Sequence, residues 1–122
     1  MQSNPANDDF GKPINIDARK QFSMGLSFFE KGIYAMAKTW FTIAAKNHHD
    51  GAMNKLGEMF FKGLGVERNF SKAHYFWLQS ALRKNNEACH HLSLMYREGF
   101  GVQKNDELAN YWENKIDKIP KM

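Results

Sequence analysis

Apolar side chains recur at intervals of three and four residues, which is the spacing of one face of an α-helix. Phe22, Leu26 and Phe29 follow this spacing near the start of the chain. Gly32 comes next and suits the tight turn at which a helix ends. A second run with the same spacing follows it, made up of Ala37, Trp40, Phe41, Ala44 and Ala45. The pattern predicts a helix-turn-helix unit, and similar runs continue along the chain.

Six helices are predicted, with starts marked by polar residues that cap helices. Asp17, Asp50, Asn69 and Asn105 are of the types that accept a hydrogen bond from a first helical turn, and we expect them to cap the first, third, fourth and sixth helices. The predicted helices cover residues 17–31, 34–47, 51–62, 70–84, 87–98 and 106–118. Residues 1–17 are predicted to form a flexible tail, and residues 18–122 to form a single helical domain.

The second half of the chain repeats itself after 36 residues, so that segment 52–76 superposes on segment 88–112. A fixed period of this size is typical of a solenoid. The Gly-x-Gly pairs at 63–65 and 99–101 resemble the start of a phosphate loop, but no strand precedes them and they recur with the period, so we interpret them as structural turns. The first unit lacks this insertion and has the ~34-residue spacing of a tetratricopeptide repeat.

Small residues alternate with aromatic ones at equivalent positions of the units, which is how a core reaches native packing density. The aromatic residues predicted to fill the core are Phe28, Trp40, Phe60, Phe76, Tyr96 and Trp112. Truncating one of them should cost ~3–5 kcal/mol if it is buried.

Two stretches match a known repeat. They are Leu56-Gly57-x-Met59-Phe60-x-x-Gly63-x-Gly65-Val66-x-x-Asn69 and Ala88-x-x-x-Leu92-x-x-Met95-Tyr96-x-x-Gly99-x-Gly101-Val102-x-x-Asn105. Both resemble the Sel-one-like repeat, a longer relative of the tetratricopeptide repeat, and the first unit is similar to a plain tetratricopeptide repeat. The resemblance covers about residues 18 to 118 and implies an all-α fold. That fold is a short right-handed α-solenoid of about three helix-turn-helix repeats, one tetratricopeptide-like and two Sel-one-like.

The last unit departs from the motif in two ways. Ser93 stands where the motif prefers glycine, and the last helix ends in the polar run 114–118 instead of a pair of alanines. A polar final helix is expected where an array stops. Its predicted inward stripe consists of Leu108, Trp112, Ile116 and Ile119.

The resemblance implies a scaffold that holds another protein or peptide on a concave face lined by the first helix of each unit. Aligning the units through Gly25, Gly57 and Ser93 gives the candidate partner-binding residues. They are Phe22, Leu26, Phe29, Asn54, Lys55, Glu58, Phe61, His90, Leu94 and Arg97, with Lys62 and His91 near the edge. Asn54 is the expected main contact, because an amide can hydrogen-bond a peptide backbone. Alternatively, the three apolar residues of the first helix belong to the core.

Several uses of such a scaffold stay open. A short array suggests one dedicated partner, as for an immunity or inhibitor protein that neutralises a bacterial toxin. A periplasmic or secreted bacterial adaptor or regulator is the alternative, and self-association through an uncapped solenoid end is a third. No cofactor is expected.

Charge and composition narrow the choice. The 17 basic and 13 acidic residues are interspersed, without the basic cluster of a nucleic-acid binder. No apolar run approaches the ~20 residues of a membrane span, and residues 1–17 lack the apolar core of a signal peptide. The compartment stays open: periplasmic or secreted if Met1 is an added start residue, and cytoplasmic otherwise.

Catalytic and metal chemistry have few candidates. Cys89 beside His90 and His91 is the one pairing of a nucleophile with a base, but its neighbour Ala88 suggests a core thiol. The runs 48–50 and 89–91 contain metal-ligand types, yet adjacent helical residues point ~100° apart. We predict a protein that is not an enzyme, with an enzyme or small-ligand binder using Cys89 and His90 as the alternative.

Overall fold

The computed structural model describes residues 14–116, with side chains from residue 17 onward. Within this range the chain forms six α-helices and no strand. The helices are α1 (Ile14–Glu30), α2 (Tyr34–Lys46), α3 (Asp50–Lys62), α4 (Phe70–Leu82), α5 (Asn86–Glu98) and α6 (Asp106–Asn114). Each helix packs mainly against its neighbours in the sequence, so the three pairs stack as an all-α solenoid, as predicted.

Asparagine capping is confirmed at two of the predicted helix starts. The side chain of Asn69 accepts a hydrogen bond from the Lys72 backbone N–H at 2.9 Å, and that of Asn105 accepts one from Leu108 at 2.9 Å. Asn85 caps α5 in the same way. Each of these bonds satisfies a first-turn N–H that has no partner within its helix.

The other two expected caps are wrong. His49 caps α3, because its Nδ1 accepts a hydrogen bond from the Ala52 N–H at 3.1 Å, and Asp50 is already the first helical residue. The first helix begins at Ile14, which places Asp17 in its first turn. Residues 14–17 are therefore helical, and the remainder of the predicted tail, residues 1–13, lies outside the described residues.

In the first two units a glycine of the first helix lies directly under an aromatic ring of the second. A Cβ added to Gly25 would lie 2.5 Å from Cδ1 of Phe41, and one added to Gly57 would lie 2.4 Å from Cδ1 of Trp77. Phe41 and Trp77 are therefore the rings that the backbone of these helices holds, and both are buried. The absence of a Cβ lets the paired helices approach closely.

This arrangement corrects the predicted core. Phe60 and Trp112 are buried as expected, but Phe28, Trp40, Phe76 and Tyr96 are only partly buried. The buried residues of α2 are Ala37, Phe41 and Ala44, which are spaced by four and three residues. The aromatic ring that faces the core is therefore Phe41 and not its neighbour Trp40.

The serine that replaces the motif glycine in the last unit has a structural reason. Glu113 occupies the position that Phe41 and Trp77 hold in the earlier units, 36 residues apart. With no ring to accommodate, the facing helix tolerates Ser93, which is buried and accepts a hydrogen bond from Arg97 at 3.2 Å.

The predicted inward stripe of the last helix is only partly correct. Trp112 is buried and Ile116 packs against the core, whereas Leu108 is exposed and Ile119 lies outside the described residues. The helix also stops at Asn114, four residues before the predicted end.

The Gly-x-Gly pairs are structural turns, as predicted. The second glycine of each pair, Gly65 or Gly101, has a positive φ, of 72° or 68°. A Cβ there would lie 2.5 Å from Cβ of Tyr34 or 2.6 Å from Cβ of Phe70. Each turn thus rests on the start of the second helix of the preceding unit, which accounts for its recurrence with the period.

Candidate functional site

A groove of about 790 Å³ lies between α3 and α5. It brings together five of the ten predicted partner-binding residues, namely Lys55, Glu58, Phe61, His90 and Leu94. The two predicted edge residues, Lys62 and His91, also line it. The rest of the lining comes from further positions on α5, from α4 and from the segments that follow α5 and α6, and these residues are Trp77, Asn86, Glu87, Met95, Phe100 and Ile116.

Aromatic rings form the floor of the groove. The Phe61 ring centroid lies 5.3 Å from that of Trp77 and 5.3 Å from that of Phe100, which it meets edge-on. Leu94 and Phe100 are exposed, at 41% and 37% of their surface. A partner side chain could therefore bury apolar surface against both of them, on rings that already support each other.

The α3 wall of the groove is a small network of charges. Glu58 forms ion pairs with Lys55 at 3.3 Å and with Lys62 at 3.1 Å. Burial raises the pKa of Glu58, but the hydrogen bonds and charges of the two lysines outweigh this effect, so its pKa lies below the ordinary value. Lys55 also lies over the ring of Phe29, 4.6 Å from its centroid, which links α1 to the edge of the groove.

The α5 wall combines an apolar histidine surface with a carboxylate. The His91 ring stacks on Trp77 with centroids 4.2 Å apart and planes 18° from parallel. Burial lowers the pKa of His91, and the nearby His90 lowers it further, so the stacked ring is neutral at neutral pH. Glu87 accepts a hydrogen bond from Asn54 Nδ2 at 2.8 Å.

Asn54 supports this wall from beneath, which corrects the expectation that it faces a partner. It is only 4% exposed, and its Nδ2 is already engaged by Glu87. Its backbone carbonyl accepts a hydrogen bond from Trp77 Nε1 at 3.0 Å. Its Oδ1 is buried without a hydrogen-bond partner among the described residues. Asn54 thus holds Trp77 and Glu87 in place.

The three apolar candidates of the first helix pack on the core, in agreement with the alternative given for them. Phe22 lies 5.7 Å from the Phe41 ring and stacks on His49 at 4.4 Å, while Phe29 lies 6.1 Å from Phe41. Leu26 is half-buried against the same cluster. None of the three lines the groove between α3 and α5.

Arg97 does not line the groove either, because its guanidinium donates to Ser93 on its own helix. Conversely, alignment of the first helices missed Trp77, Glu87 and Phe100. One feature of the sequence could have identified Trp77: it follows Phe41 by the 36-residue period, as an aromatic residue at the equivalent position of the next unit. Phe100 lies between the two glycines of a turn, and the sequence pattern there indicates only the turn.

The candidates for catalysis do not meet. Cys89 is 1% exposed, and burial raises the pKa of its thiol. It lines a different cavity, which it shares with Tyr111 and Lys115, whereas His90 and His91 line the groove. A thiol activated by either histidine would need hydrogen-bond contact with it.

The first histidine run is engaged in structural contacts. Arg83 Nη2 lies 3.0 Å from Nδ1 of His48, and Asp50 accepts a hydrogen bond from Asn85 at 2.7 Å. Among the described side chains, no three His, Cys, Asp or Glu residues are grouped so that they could hold a metal ion.

The stacked helix pairs, the recurring glycine turns and the groove between first helices define an α-helical repeat protein of the tetratricopeptide-like superfamily. More specifically, the chain belongs to the Sel1 repeat family, whose model matches residues 21–49, 51–85 and 86–112. The first unit is thus matched by the same model as the two longer ones. Proteins of this family generally serve as scaffolds for protein–protein interaction.

Two solved structures are similar to the chain. One is c5321, a protective antigen present in uropathogenic Escherichia coli strains and displaying an SLR fold, with 31% identity and a TM-score of 0.76 over 80% of this chain. The other is a Sel1 repeat protein from Oxalobacter formigenes, with 30% identity and a TM-score of 0.74 over 77% of this chain. The match spans 22% of the first and 39% of the second.

The comparison with curated proteins found no match. Within residues 14–116, none of the helices has the length and apolar character needed to cross a bilayer.

Proposed function

We propose that the chain is a non-catalytic scaffold that binds a segment of a partner protein in the groove between α3 and α5. The observation that carries the proposal is the exposure of Leu94 and Phe100 above an aromatic floor, between two walls of charged residues. An apolar centre enclosed by a polar rim is the usual anatomy of a protein interface. Aromatic residues at such a centre commonly supply most of the binding free energy.

The walls favour a protein ligand over a small-molecule substrate. A small-molecule site places a few polar groups so that they converge on the ligand. Here Lys55 and Lys62 are bound to Glu58, and Glu87 is bound to Asn54, so these groups are already arranged along the rim. Such a rim can exclude water around an apolar contact without any chemistry of its own.

The identity of the partner decides between the two roles considered for the scaffold. A single dedicated partner with toxic activity would make the chain an immunity or inhibitor protein. A partner that retains its own activity in the complex would make the chain an adaptor or regulator. Both roles use the same groove.

The test compares two identical substitutions at exposed leucines. Leu94→Asp places a charge on the floor of the groove, while Leu82→Asp places one on an exposed leucine, at the end of α4, that does not line the groove. Each purified variant and the wild type serve as bait for proteins of the source cell, and the affinity of each captured protein is then measured by calorimetry. Circular dichroism confirms that both variants fold.

We expect the Leu82→Asp variant to bind the partner as the wild type does. We expect Leu94→Asp to weaken binding by ~2 kcal/mol or more, because it desolvates a charge at the centre of the interface. Equal affinity of the two variants would show that the partner binds elsewhere and would end the groove proposal.

A further inference from the structure

The charged residues of the groove are divided unequally between its two walls. On the α3 wall, Lys55 and Lys62 share the single carboxylate of Glu58, so the wall carries one more positive charge than negative. On the α5 wall, Glu87 accepts a hydrogen bond from the neutral amide of Asn54, and within residues 17–116 no ion pair involves it. The groove is therefore positive along one side and negative along the other.

The half-buried His91 of the α5 wall does not cancel this difference. His91 stacks on Trp77, and burial lowers its pKa, so it is uncharged at neutral pH. It extends the apolar floor toward Glu87 without neutralising that carboxylate.

Both charged side chains also make a hydrogen bond within the chain before any partner arrives. Glu87 is positioned by the buried Asn54, and Lys62 is positioned by Glu58 at 3.1 Å. A side chain that is already ordered loses little conformational entropy on binding. Opposite charges fixed on the two sides of a groove also favour one orientation of a bound segment and disfavour the reverse.

We propose that the groove selects an amphipathic segment of a protein partner with a defined arrangement of charges. Its apolar side chains cover Leu94 and Phe100, a Lys or Arg lies opposite Glu87, and an Asp or Glu lies opposite Lys62. This proposal rests on the proposed function and names the chemistry of the partner.

The probe is a library of random peptides of a dozen residues displayed on phage and selected on the immobilised full chain. Selected peptides are then synthesised, and their affinities are measured by fluorescence polarisation. Glu87→Gln removes the charge while leaving an amide oxygen to accept from Asn54. Its matched control is Glu107→Gln, because Glu87 and Glu107 are both exposed and both lie in the first turn of a helix, and Glu107 does not line the groove.

We expect the wild type to select peptides with apolar residues flanked by a basic residue on one side and an acidic residue on the other. Glu87→Gln should weaken their binding by about tenfold, as expected for the loss of a fixed interface charge pair, and Glu107→Gln should leave it unchanged. Lys62→Glu should select peptides in which a basic residue replaces the acidic one. This second variant changes the opposite wall and leaves Asn54 untouched.

Two results separate this inference from the proposed function. Peptides that lose binding with Leu94→Asp but not with Glu87→Gln would overturn the charge assignment and leave the groove as the binding site. Peptides indifferent to Leu94→Asp, or a library without groove-dependent binders, would overturn both. Self-association of the wild-type chain that Leu94→Asp abolishes, measured by analytical ultracentrifugation, would assign the groove to a second copy and would also overturn the inference.

Discussion

Replacing Gly57 by alanine tests the packing of the middle unit, because helix propensity and core packing predict opposite outcomes. Alanine in a helix interior is favoured over glycine by about 1 kcal/mol. At this position, however, the new Cβ would lie 2.4 Å from Cδ1 and 2.5 Å from Nε1 of Trp77. The Trp77 ring is 3% exposed and its Nε1 donates to the Asn54 carbonyl, so the ring has little room to move.

The expected cost follows from these contacts. Overpacking a core typically costs about 1–3 kcal/mol. Displacing the indole from a buried carbonyl adds about 1 kcal/mol for the lost hydrogen bond. After the gain in helix propensity, Gly57→Ala should lower the free energy of unfolding by about 1–3 kcal/mol.

Urea unfolding followed by circular dichroism measures this difference through the transition midpoint. The control is the same substitution in a Trp77→Leu background, where the clash is relieved and alanine should cost little or even stabilise. The difference between the two backgrounds gives the coupling energy of the pair. A Gly57→Ala variant as stable as the wild type would show that Trp77 does not rest on this glycine, and the account of the repeat packing would be wrong.

Three further predictions concern single residues, two outside the groove and one, His91, that lines it. Lys84 has a φ of 70°, so Lys84→Gly should raise the free energy of unfolding by about 1 kcal/mol in urea, whereas Lys38→Gly within α2 should lower it by about 1 kcal/mol. The buried Cys89, whose pKa is raised by burial, should react with a thiol reagent only as fast as the protein opens; rapid reaction in the native state would contradict its core position. Burial lowers the pKa of His91 below 6.5 in the folded chain, so the unfolded chain protonates this histidine more readily. The neutral His91 therefore contributes fully to the free energy of unfolding above pH ~6.5, and this contribution is lost as the pH falls through the folded-state pKa. Urea midpoints at pH ~7 and pH ~5 should therefore differ less in His91→Gln than in the wild type, and an unchanged difference would refute this.

The sequence predicted the six helices well because each unit repeats one apolar period, and Asn69 and Asn105 mark the starts of α4 and α6 correctly. It failed at α3 because a histidine there performs the capping that Asp50 was expected to perform. It also placed Trp40 inward, since Trp40 and Phe41 are adjacent and the period alone does not choose between neighbours. The facing Gly25 does choose, because only Phe41 lies over it.

The groove was predictable only in part, for a tertiary reason. Aligning the first helices identifies residues that share a helix face, and for α3 and α5 that face lines the groove. The same face of α1 packs on Phe41, so the corresponding positions there belong to the core. Trp77 and Phe100 enter the groove from the second helix and from a turn, which alignment of the first helices does not include. The hydrogen bond of Asn54 likewise goes to Glu87, a residue 33 positions away in the sequence.

The most direct test of the account is an amide NMR map of the labelled chain titrated with the captured partner. We predict that shift changes concentrate on α3 and α5 around Glu58, Phe61 and Leu94, and in the turn that carries Phe100. Changes concentrated on the outer surface of α2 and α4, with the groove residues unaffected, would contradict it.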